Sequence, residues 1–193
     1  MLTINPRDTG FILLDLQQLF GNSNPVVLEI GSGKGRFLIG SATERPDVNF
    51  IGIEKSLHCH RVIGERIAKR GLTNIRQINH DAFLVVRDML PDASISEVHI
   101  YFPDPWPRKK KQKRRIIRPE VLEQLRRVMV PGARGVYVTD HEQYLEIAAP
   151  VIAAFFPSEA RTPAPSDPPR TNYEEKYRAE GRPIYEVRFR KPG

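Results

Sequence analysis

The fold class that this sequence predicts is a doubly wound α/β domain with a mostly parallel sheet. Short apolar runs alternate along the chain with longer stretches in which apolar residues recur at helical spacing. Strands that alternate with helices of this length form βαβ units, which impose parallel pairing and a sheet covered on both faces. The length of 193 residues suits one domain over residues 1–193.

The expected elements follow from the same patterns, taken in chain order. Residues 1–24 are expected to form a short helix over 11–20, ended by Gly21, and a turn. Strands are expected at residues 26–30, 49–53, 75–78, 97–102 and 135–138. Helices are expected at residues 34–44, 57–70, 82–90, 119–129 and 142–156, the fourth of them stopped by Pro131-Gly132. Residues 157–170 contain five prolines and predict a loop, and the alternation over 183–190 predicts an antiparallel strand at the sheet edge.

The composition excludes several classes of protein. Hydrophobic residues make up 40% of the chain and charged residues 27%, which is typical of a globular protein. The single cysteine, Cys59, cannot form an intramolecular disulfide and fits a reducing compartment. Residues 1–10 lack the pattern of a signal peptide, and the longest apolar run, 147–156, is too short to span a bilayer. We therefore expect a cytoplasmic protein without membrane contact.

Positive charge is concentrated in one segment, residues 108–118, which we call the basic strip. It contains eight of the 30 lysines and arginines and no acidic residue. The rest of the chain has 22 basic and 23 acidic residues, so the net charge of +7 arises from this strip. A near-neutral domain with one positive segment is typical of a protein that binds a polyanion.

A glycine-rich turn follows the first predicted strand. Its glycines are Gly31, Gly33 and Gly35, a pattern that lets the backbone approach a ligand closely. The dinucleotide pattern needs a glycine at position 36, where the chain has arginine, and a phosphate-binding loop needs Ser or Thr directly after Lys34. The turn therefore fits neither of these nucleotide-binding patterns.

Three acidic residues lie at successive strand ends: Glu29 within the first strand, Glu54 after the second and Asp81 after the third. Ligands of an open parallel sheet bind at the carboxyl ends of its strands. Glu54 has the position of the acid that accepts from ribose hydroxyls, and Glu29 would repel a pyrophosphate but attract an ammonium group. The pattern indicates S-adenosylmethionine, with S-adenosylhomocysteine as its product.

The fourth strand leads into a proline-rich segment, Phe102-Pro103-Asp104-Pro105-Trp106-Pro107, and then into the basic strip. Proline fixes φ and removes a donor, so the segment predicts a stiff platform that presents Asp104 and Trp106 near the cofactor. Aromatic surface beside lysine and arginine is suited to an unpaired base and its phosphates.

These motifs resemble those of the bacterial tRNA (guanine-N7-)-methyltransferase family. The resemblance is collinear from about residue 25 to residue 190. It rests on Glu29-x-Gly31-x-Gly33-x-Gly35, Ile51-Gly52-Ile53-Glu54, Asp81-Ala82, the Phe102–Pro107 segment with its basic strip, Pro131-Gly132, Thr139-Asp140 and Thr171-Asn172-Tyr173-Glu174-Glu175-Lys176.

The resemblance implies a class I methyltransferase sheet of seven strands and methylation of guanine 46 in the tRNA variable loop. It implies that Asp104, the candidate catalytic residue, joins Glu29, Glu54 and Asp81 as a cofactor ligand. The implied substrate contacts are Arg108, Asp140, Thr171, Asn172, Tyr173 and Glu174. The implied RNA-binding residues are Lys110, Lys111, Gln112, Lys113, Arg114 and Arg115. Arg108 stands where the family usually has Lys, and Gln112 stands where the family frequently has His.

Some alternatives remain open on the sequence. Asp140 also suits a helix N-cap, whereas His58-Cys59-His60 point apart on a helix, so no metal site is expected. The site also suits methylation of an exocyclic amine on another nucleic acid. A non-catalytic RNA-binding subunit is a further alternative. The expected partner is tRNA, with no obligate protein partner, and the protein is expected to be a monomer or a homodimer.

Overall fold

The computed structural model describes residues 3–164 and 166–193, which form an eight-stranded sheet with helices on both faces. The strands are β1 (Thr3–Ile4), β2 (Val26–Ile30), β3 (Asn49–Ile53), β4 (Ile75–Ile78), β5 (Ile95–Tyr101), β6 (Met129–Thr139), β7 (Ser158–Arg161) and β8 (Tyr185–Arg190). The helices are α1 (Pro6–Thr9), α2 (Leu16–Phe20), α3 (Arg36–Glu44), α4 (Leu57–Arg70), α5 (Ala82–Asp88), α6 (Pro119–Val128), α7 (Glu142–Ala153) and α8 (Asn172–Ala179). A 3-10 helix spans Lys109–Arg114.

The strand order is β1-β4-β3-β2-β5-β6-β8-β7. The pairs from β1 to β6 are parallel, whereas β8 runs antiparallel to both β6 and β7. Strands β2 and β3 are buried along their whole length, as expected for a sheet covered on both faces. The predicted fold class is therefore confirmed.

Apolar side chains divide between the two faces of the sheet. The larger cluster packs α5, α6 and α7 against one face, with Leu28, Val98 and Tyr137 among its buried members. The smaller cluster packs α3 and α4 against the other face through residues such as Leu38 and Ile63. Helices α3, α4 and α5 each begin a few residues after the carboxyl end of the preceding strand, and the connecting segments form the edge of the sheet where a site is expected.

The structure corrects several expected elements. The helix expected over 11–20 spans only Leu16–Phe20, because Asp15 caps it by accepting from the Gln18 N–H at 2.9 Å and Leu14 donates to Met89 O. The pair Pro131-Gly132 lies inside β6, which begins directly after α6. Among the described residues no helix has both the length and the apolar character needed to cross a membrane.

The C-terminal part of the sheet differs most from expectation. The segment expected to be a loop, 157–170, contains strand β7, and its residue 165 lies outside the described part of the chain. Strand β8 is antiparallel as expected, but it lies between β6 and β7 and is not at the edge. Strands β1 and β7 add to the six strands that the sequence patterns predict, so the described sheet has eight strands and not the seven that the resemblance implies.

Candidate functional site

The glycine turn links β2 to α3 and has left-handed backbone at all three glycines. The φ angles are 78° at Gly31, 55° at Gly33 and 77° at Gly35. A Cβ at Gly31 or Gly33 would meet no atom within 4 Å, so these positions face open space where a ligand can approach the backbone. A Cβ at Gly35 would lie 2.9 Å from Ile63 Cγ1, so this glycine also lets α3 and α4 pack closely.

Glu54 fixes the glycine turn in place. Its Oε2 accepts from the Gly33 N–H at 2.8 Å and its Oε1 accepts from the Ser56 N–H at 2.6 Å. Asn79, at the end of β4, donates to the Glu54 carbonyl at 2.7 Å. The sequence patterns did not single out Asn79 as a site residue. The signal that could have indicated it is its position directly after a predicted strand, two residues before Asp81.

Asp81 lies at the N-terminus of α5, where its Oδ1 accepts from the Phe83 N–H at 3.1 Å. Lys55 Nζ donates to its Oδ2 at 3.1 Å. Burial opposes the charged form, but the Lys55 ammonium and the helix N–H groups hold the pKa of Asp81 below its ordinary value. The Phe11 ring lies edge-on to His80 beside this carboxylate, with centroids 4.9 Å apart.

Glu29 is the most deeply buried of the three strand-end carboxylates, with 2% of its surface exposed. Its Oε2 has no hydrogen-bond partner among the described residues. Burial, reinforced by the nearby Glu54 charge, raises the pKa of Glu29 to about 8. A ligand ammonium group would provide the missing partner and favour the carboxylate, so this residue fits the aminoacyl part of S-adenosylmethionine.

The Asp104 platform follows β5. Residues Phe102 and Trp106 bracket it with left-handed backbone, at φ angles of 49° and 41°. Such angles are costly for non-glycine residues and persist where the surrounding structure holds them. The Phe102 N–H donates to Val138 O at 2.8 Å, and Arg115 Nε donates to Pro105 O at 2.7 Å. Asp104 is exposed at the centre of this braced segment.

The basic strip forms the 3-10 helix and divides into two environments. Arg108 precedes the helix, and the exposed cations within it include Lys110, Lys111, Lys113 and Arg114. Lys111 Nζ lies 5.5 Å and the Arg114 guanidinium carbon 5.2 Å from the Trp106 ring centroid. Gln112 is half-buried, and Arg115 is buried against the platform carbonyls. Arg115 therefore braces the platform in this structure and does not face solvent as its neighbours do.

The segment 171–174 opens α8. Thr171 is the N-cap, and its hydroxyl accepts from the Glu174 N–H at 3.0 Å. Asn172 and Tyr173 are exposed, and the Tyr173 ring centroid lies 6.5 Å from that of Phe102 on the platform. The Tyr173 side chain is thus brought to the same edge of the sheet as Asp104, whereas Asn172 accepts from Arg36 of α3 at 3.5 Å.

Unlike the exposed Asn172 and Tyr173, Glu174 of the same segment is fully buried. Arg170 Nε donates to its Oε2 at 3.0 Å and Arg178 Nη2 donates to its Oε1 at 2.7 Å. Burial alone would raise the pKa of Glu174, but these guanidinium groups hold it below its ordinary value. The structure therefore uses Glu174 to anchor α8.

A second buried carboxylate, Glu186 on β8, completes this ion cluster. It accepts from Arg161 Nε at 2.8 Å, from Arg170 Nη1 at 2.5 Å and from Arg188 Nε at 2.5 Å. Arg170 also lies 5.2 Å from the Tyr101 ring centroid. One arginine therefore joins α8, β8 and the end of β5.

Asp140 follows β6 and pairs with Arg182, whose guanidinium carbon lies 4.0 Å from the Tyr177 ring centroid. The alternative that Asp140 is a helix N-cap is wrong. His141 caps α7 instead, since its Nδ1 accepts from the Tyr144 N–H at 3.3 Å. Asp140 therefore lies at the strand end, where Arg182 engages one of its carboxylate oxygens.

The strand order explains which residues meet. Strand β2 lies between β3 and β5, and Ile30 pairs in register with Ile100. The glycine turn therefore lies beside the start of the Asp104 platform, with Glu54 on its other side. A sheet of this order, with a glycine turn after its central strand and acids at the next two strand ends, defines a class I methyltransferase.

Comparisons with known proteins agree with this class. Residues 23–187 match a family model described as "Putative methyltransferase". The 16S rRNA methyltransferase KamB superposes on this chain with a TM-score of 0.71 and 16% sequence identity, covering 94% of this chain and 95% of the other. At this identity the similarity shows the shared fold.

Closer relatives identify the family. A tRNA (guanine-N(7)-)-methyltransferase of Aliivibrio salmonicida is 38% identical over 191 residues, which covers 93% of this chain and 78% of the relative. The protein of that name from Vibrio cholerae is 38% identical over 190 residues, with the same coverage of both chains. The chain belongs to the tRNA (guanine-N(7)-)-methyltransferase family.

Proposed function

We propose that this protein, a single domain over residues 1–193, acts in the cytoplasm and transfers a methyl group from S-adenosylmethionine to N7 of guanine 46 in the variable loop of tRNA. The observation that carries the proposal is the pairing of β2 with β5, which sets the Asp104 platform beside the glycine turn. Family membership supports tRNA as the substrate and guanine N7 as the acceptor atom.

The proposed cofactor residues are Glu29, Glu54, Asp81, Asp104 and the three turn glycines. The open space at Gly31 and Gly33 and the unpartnered Oε2 of Glu29 support this assignment. Bound S-adenosylmethionine supplies an electrophilic methyl group. Glu54 has accepting capacity left for ribose hydroxyls, because a carboxylate offers about four lone-pair sites and two N–H groups use only part of them.

Asp104 is the proposed catalytic residue. Guanine N7 has a free lone pair, so no base must remove a proton before it attacks. The protein must hold N7 in line with the methyl group, and such positioning can lower a barrier by as much as about 7 to 11 kcal/mol. The Asp104 carboxylate would stabilise the positive charge that develops on the purine ring.

Selection of guanine is assigned to the substrate residues around the platform. Guanine N1 and N2 are donors, whereas adenine has an acceptor at N1. Both Asp140 and Glu174 are carboxylates that could accept from these donors, but Glu174 is buried and engaged by two arginines. We therefore assign this role to Asp140, which is partly exposed and pairs with one arginine, Arg182. Thr171 would hold the start of α8, with Asn172 and Tyr173 as neighbouring substrate contacts.

The basic strip is the proposed RNA-backbone contact. Two of its exposed cations, Lys111 and Arg114, lie over the Trp106 ring, which offers a stacking surface beside the phosphates. Arg108 contributes a cation next to the platform. Arg115 acts by holding the Pro105 carbonyl of the platform. Gln112 is half-buried and lies in the chain between the exposed cations and Arg115.

The test is methylation of an unmodified tRNA transcript with labelled donor, followed by identification of the methylated nucleoside. We expect 7-methylguanosine from a transcript with guanine at position 46 and none from a transcript with adenine there. A methylated exocyclic amine would overturn the N7 assignment. Label at another guanine would overturn the position, and tRNA binding without label would indicate a non-catalytic subunit.

A further inference from the structure

A second group of cations lies outside the basic strip. Helices α3 and α4 and the start of α8 enclose an open cleft of about 340 Å³, which we call the α3–α4 cleft. Three arginines line it, Arg36, Arg66 and Arg70, together with Asn172 of the substrate segment and one carboxylate, Glu44. The proposed function uses Gly35 and Asn172 of this lining but none of its cations.

Two of these arginines have no carboxylate partner within the described residues. Arg66 Nη1 donates to the Lys34 carbonyl of the glycine turn at 2.8 Å, and Arg70 Nη1 donates to the Arg66 carbonyl at 3.3 Å. Both residues are exposed. Arg36 differs, because its guanidinium pairs with Glu175 of α8 at 2.5 Å.

The placement of Arg66 and Arg70 works against the stability of α4. Like charges four residues apart on a helix repel each other and destabilise it. The helix dipole favours Arg70 in the last turn, but Arg66 lies one turn earlier, where this effect has faded. A pair of guanidinium groups that costs helix stability and keeps most of its donors free is suited to an anion.

The position of α8 indicates which anion. Arg36 contacts its Glu175, and on the platform side its Tyr173 and Tyr177 rings lie 6.5 and 5.4 Å from the Phe102 ring. The α3–α4 cleft and the basic strip therefore lie on the two sides of α8. A polynucleotide whose base is held at α8 extends its backbone in both directions from that base.

We propose that Arg66 and Arg70 form a second RNA-backbone site, which binds phosphodiester groups of tRNA on the side of α8 opposite to the basic strip. The inference rests on the proposed function, since it takes tRNA as the ligand. The planar guanidinium presents paired N–H donors that match phosphate oxygens, and two arginines one turn apart can contact neighbouring phosphates.

The test compares two double variants of α4 that remove the same charge. Arg66→Gln/Arg70→Gln removes the cleft cations, whereas Arg61→Gln/Lys69→Gln removes two exposed cations of the same helix that do not line the cleft. We would measure the dissociation constant for unmodified tRNA at several salt concentrations, and donor affinity by calorimetry.

We expect the cleft variant to bind tRNA on the order of tenfold more weakly at 0.1 M salt, with a salt slope smaller by about two units. The control variant should stay close to wild type, and both should keep donor affinity. Equal losses in the two double variants would overturn the inference, because general charge would then explain them. A loss of donor affinity alone would overturn it too, by assigning Arg66 to the glycine turn.

Failure of the function itself would look different. A wild-type protein that does not methylate tRNA would remove the proposed function. A wild-type protein that methylates tRNA, with a cleft variant that matches the control, would remove only the second site. Arg66→Lys/Arg70→Lys keeps the charge and loses the planar fork, so we expect an intermediate affinity with nearly the wild-type salt slope.

Discussion

The two halves of the sheet position their side chains by different means. In the cofactor half, β1 to β4 with α3, α4 and α5, the contacts join residues at neighbouring strand ends, such as Glu54 with Gly33. In the substrate half, β5 to β8 with α8, buried carboxylates draw arginines from distant segments, as Glu186 does with Arg161 and Arg170. The first half is organised by backbone and close packing, and the second by ion pairs. Changes in one half should therefore leave the other half's ligand unaffected.

The first expected effect is on catalysis, at the boundary between the halves. Asp104→Asn keeps the size of the side chain and removes its charge, so single-turnover methyl transfer should fall by about 10²-fold while tRNA affinity changes little. Asp47→Asn, an exposed residue before β3, is the matched control. A wild-type rate in the Asp104 variant would refute the electrostatic role.

The pH dependence tests the same step. Because N7 gives up no proton, the wild-type single-turnover rate should show no rise attributable to one base titrating near neutrality. A rate that climbs with a single deprotonation would contradict the base-free mechanism and would require a different role for Asp104.

Arg170→Met breaks the ion cluster of the substrate half. The free energy of unfolding should fall by about 3 kcal/mol, since two buried carboxylates lose a shared partner. Chemical denaturation measures it, with Arg126→Met on the exposed side of α6 as control. Donor affinity of the folded variant should match wild type, and a parallel loss would show that the halves are not independent.

The cluster also makes stability depend on pH. Burial would raise the pKa values of Glu174 and Glu186, but their arginine partners hold both below the ordinary value of 4.5. A depressed folded-state pKa contributes stability above the unfolded value that is lost as pH falls. Wild type should therefore lose stability below about pH 4.5, and Arg170→Met should lose less over the same range.

Glu54→Ala tests the cofactor half. Hydrogen bonds to a charged group contribute about 1.5 to 3 kcal/mol, so donor affinity should fall by roughly 10- to 150-fold. Calorimetric titration measures this, with Glu65→Ala on the exposed face of α4 as control. Unchanged donor affinity would remove Glu54 from the site, and a loss of tRNA affinity without loss of donor affinity would reverse the assignment of the halves.

The smallest expected effect is the release of a proton from Glu29 when the donor binds. With its pKa raised to about 8, mainly by burial, Glu29 is mostly protonated at pH 7 in the free protein. A donor ammonium group favours the carboxylate, so binding should release up to about one proton. Calorimetry in two buffers of different ionisation enthalpy measures the release, and Glu29→Gln should abolish it. Equal release by both proteins would contradict the assignment.

Stability changes in the opposite sense at Glu29. A raised folded-state pKa contributes stability that is present below the unfolded value of 4.5 and is lost as pH rises through about 8. Glu29→Gln should therefore flatten the decline in unfolding free energy between pH 5 and pH 8. At neutral pH, Glu29 therefore lowers the unfolding free energy of the ligand-free protein, and the same carboxyl group prepares the site for a cation.

The sequence predicted the cofactor half closely because its determinants are local. A glycine turn, an acid after each strand and apolar runs of strand length are visible in neighbouring residues, and β2, β3 and β4 have the expected bounds. The roles of these residues in cofactor binding stay a prediction. Strand β1 was missed because two residues carry too little pattern to indicate a strand.

The substrate half was predicted less well because its determinants are distant in sequence. Arg161 and Glu186 are 25 residues apart, and Asp140 and Arg182 are 42 apart. Nothing in the local pattern near 158–161 indicates a strand, since all four residues are exposed and β7 exists through its pairing with β8. Glu174 belongs to the Thr171–Lys176 motif, but the sequence does not show that it is buried, because its partners Arg170 and Arg178 reach it only in the folded structure.

The position of β8 also affects how the protein is made. In the chain, 45 residues separate the end of β6 from the start of β8, and among the described strands β7 pairs with β8 alone. During synthesis, domains fold as the chain emerges, and unpaired strand edges expose such intermediates to aggregation. The nascent chain therefore carries an open β6 edge and an unassembled ion cluster until Tyr185–Arg190 have left the ribosome. A ribosome that stalls before Tyr185 would release a chain with a formed glycine turn and no completed substrate half.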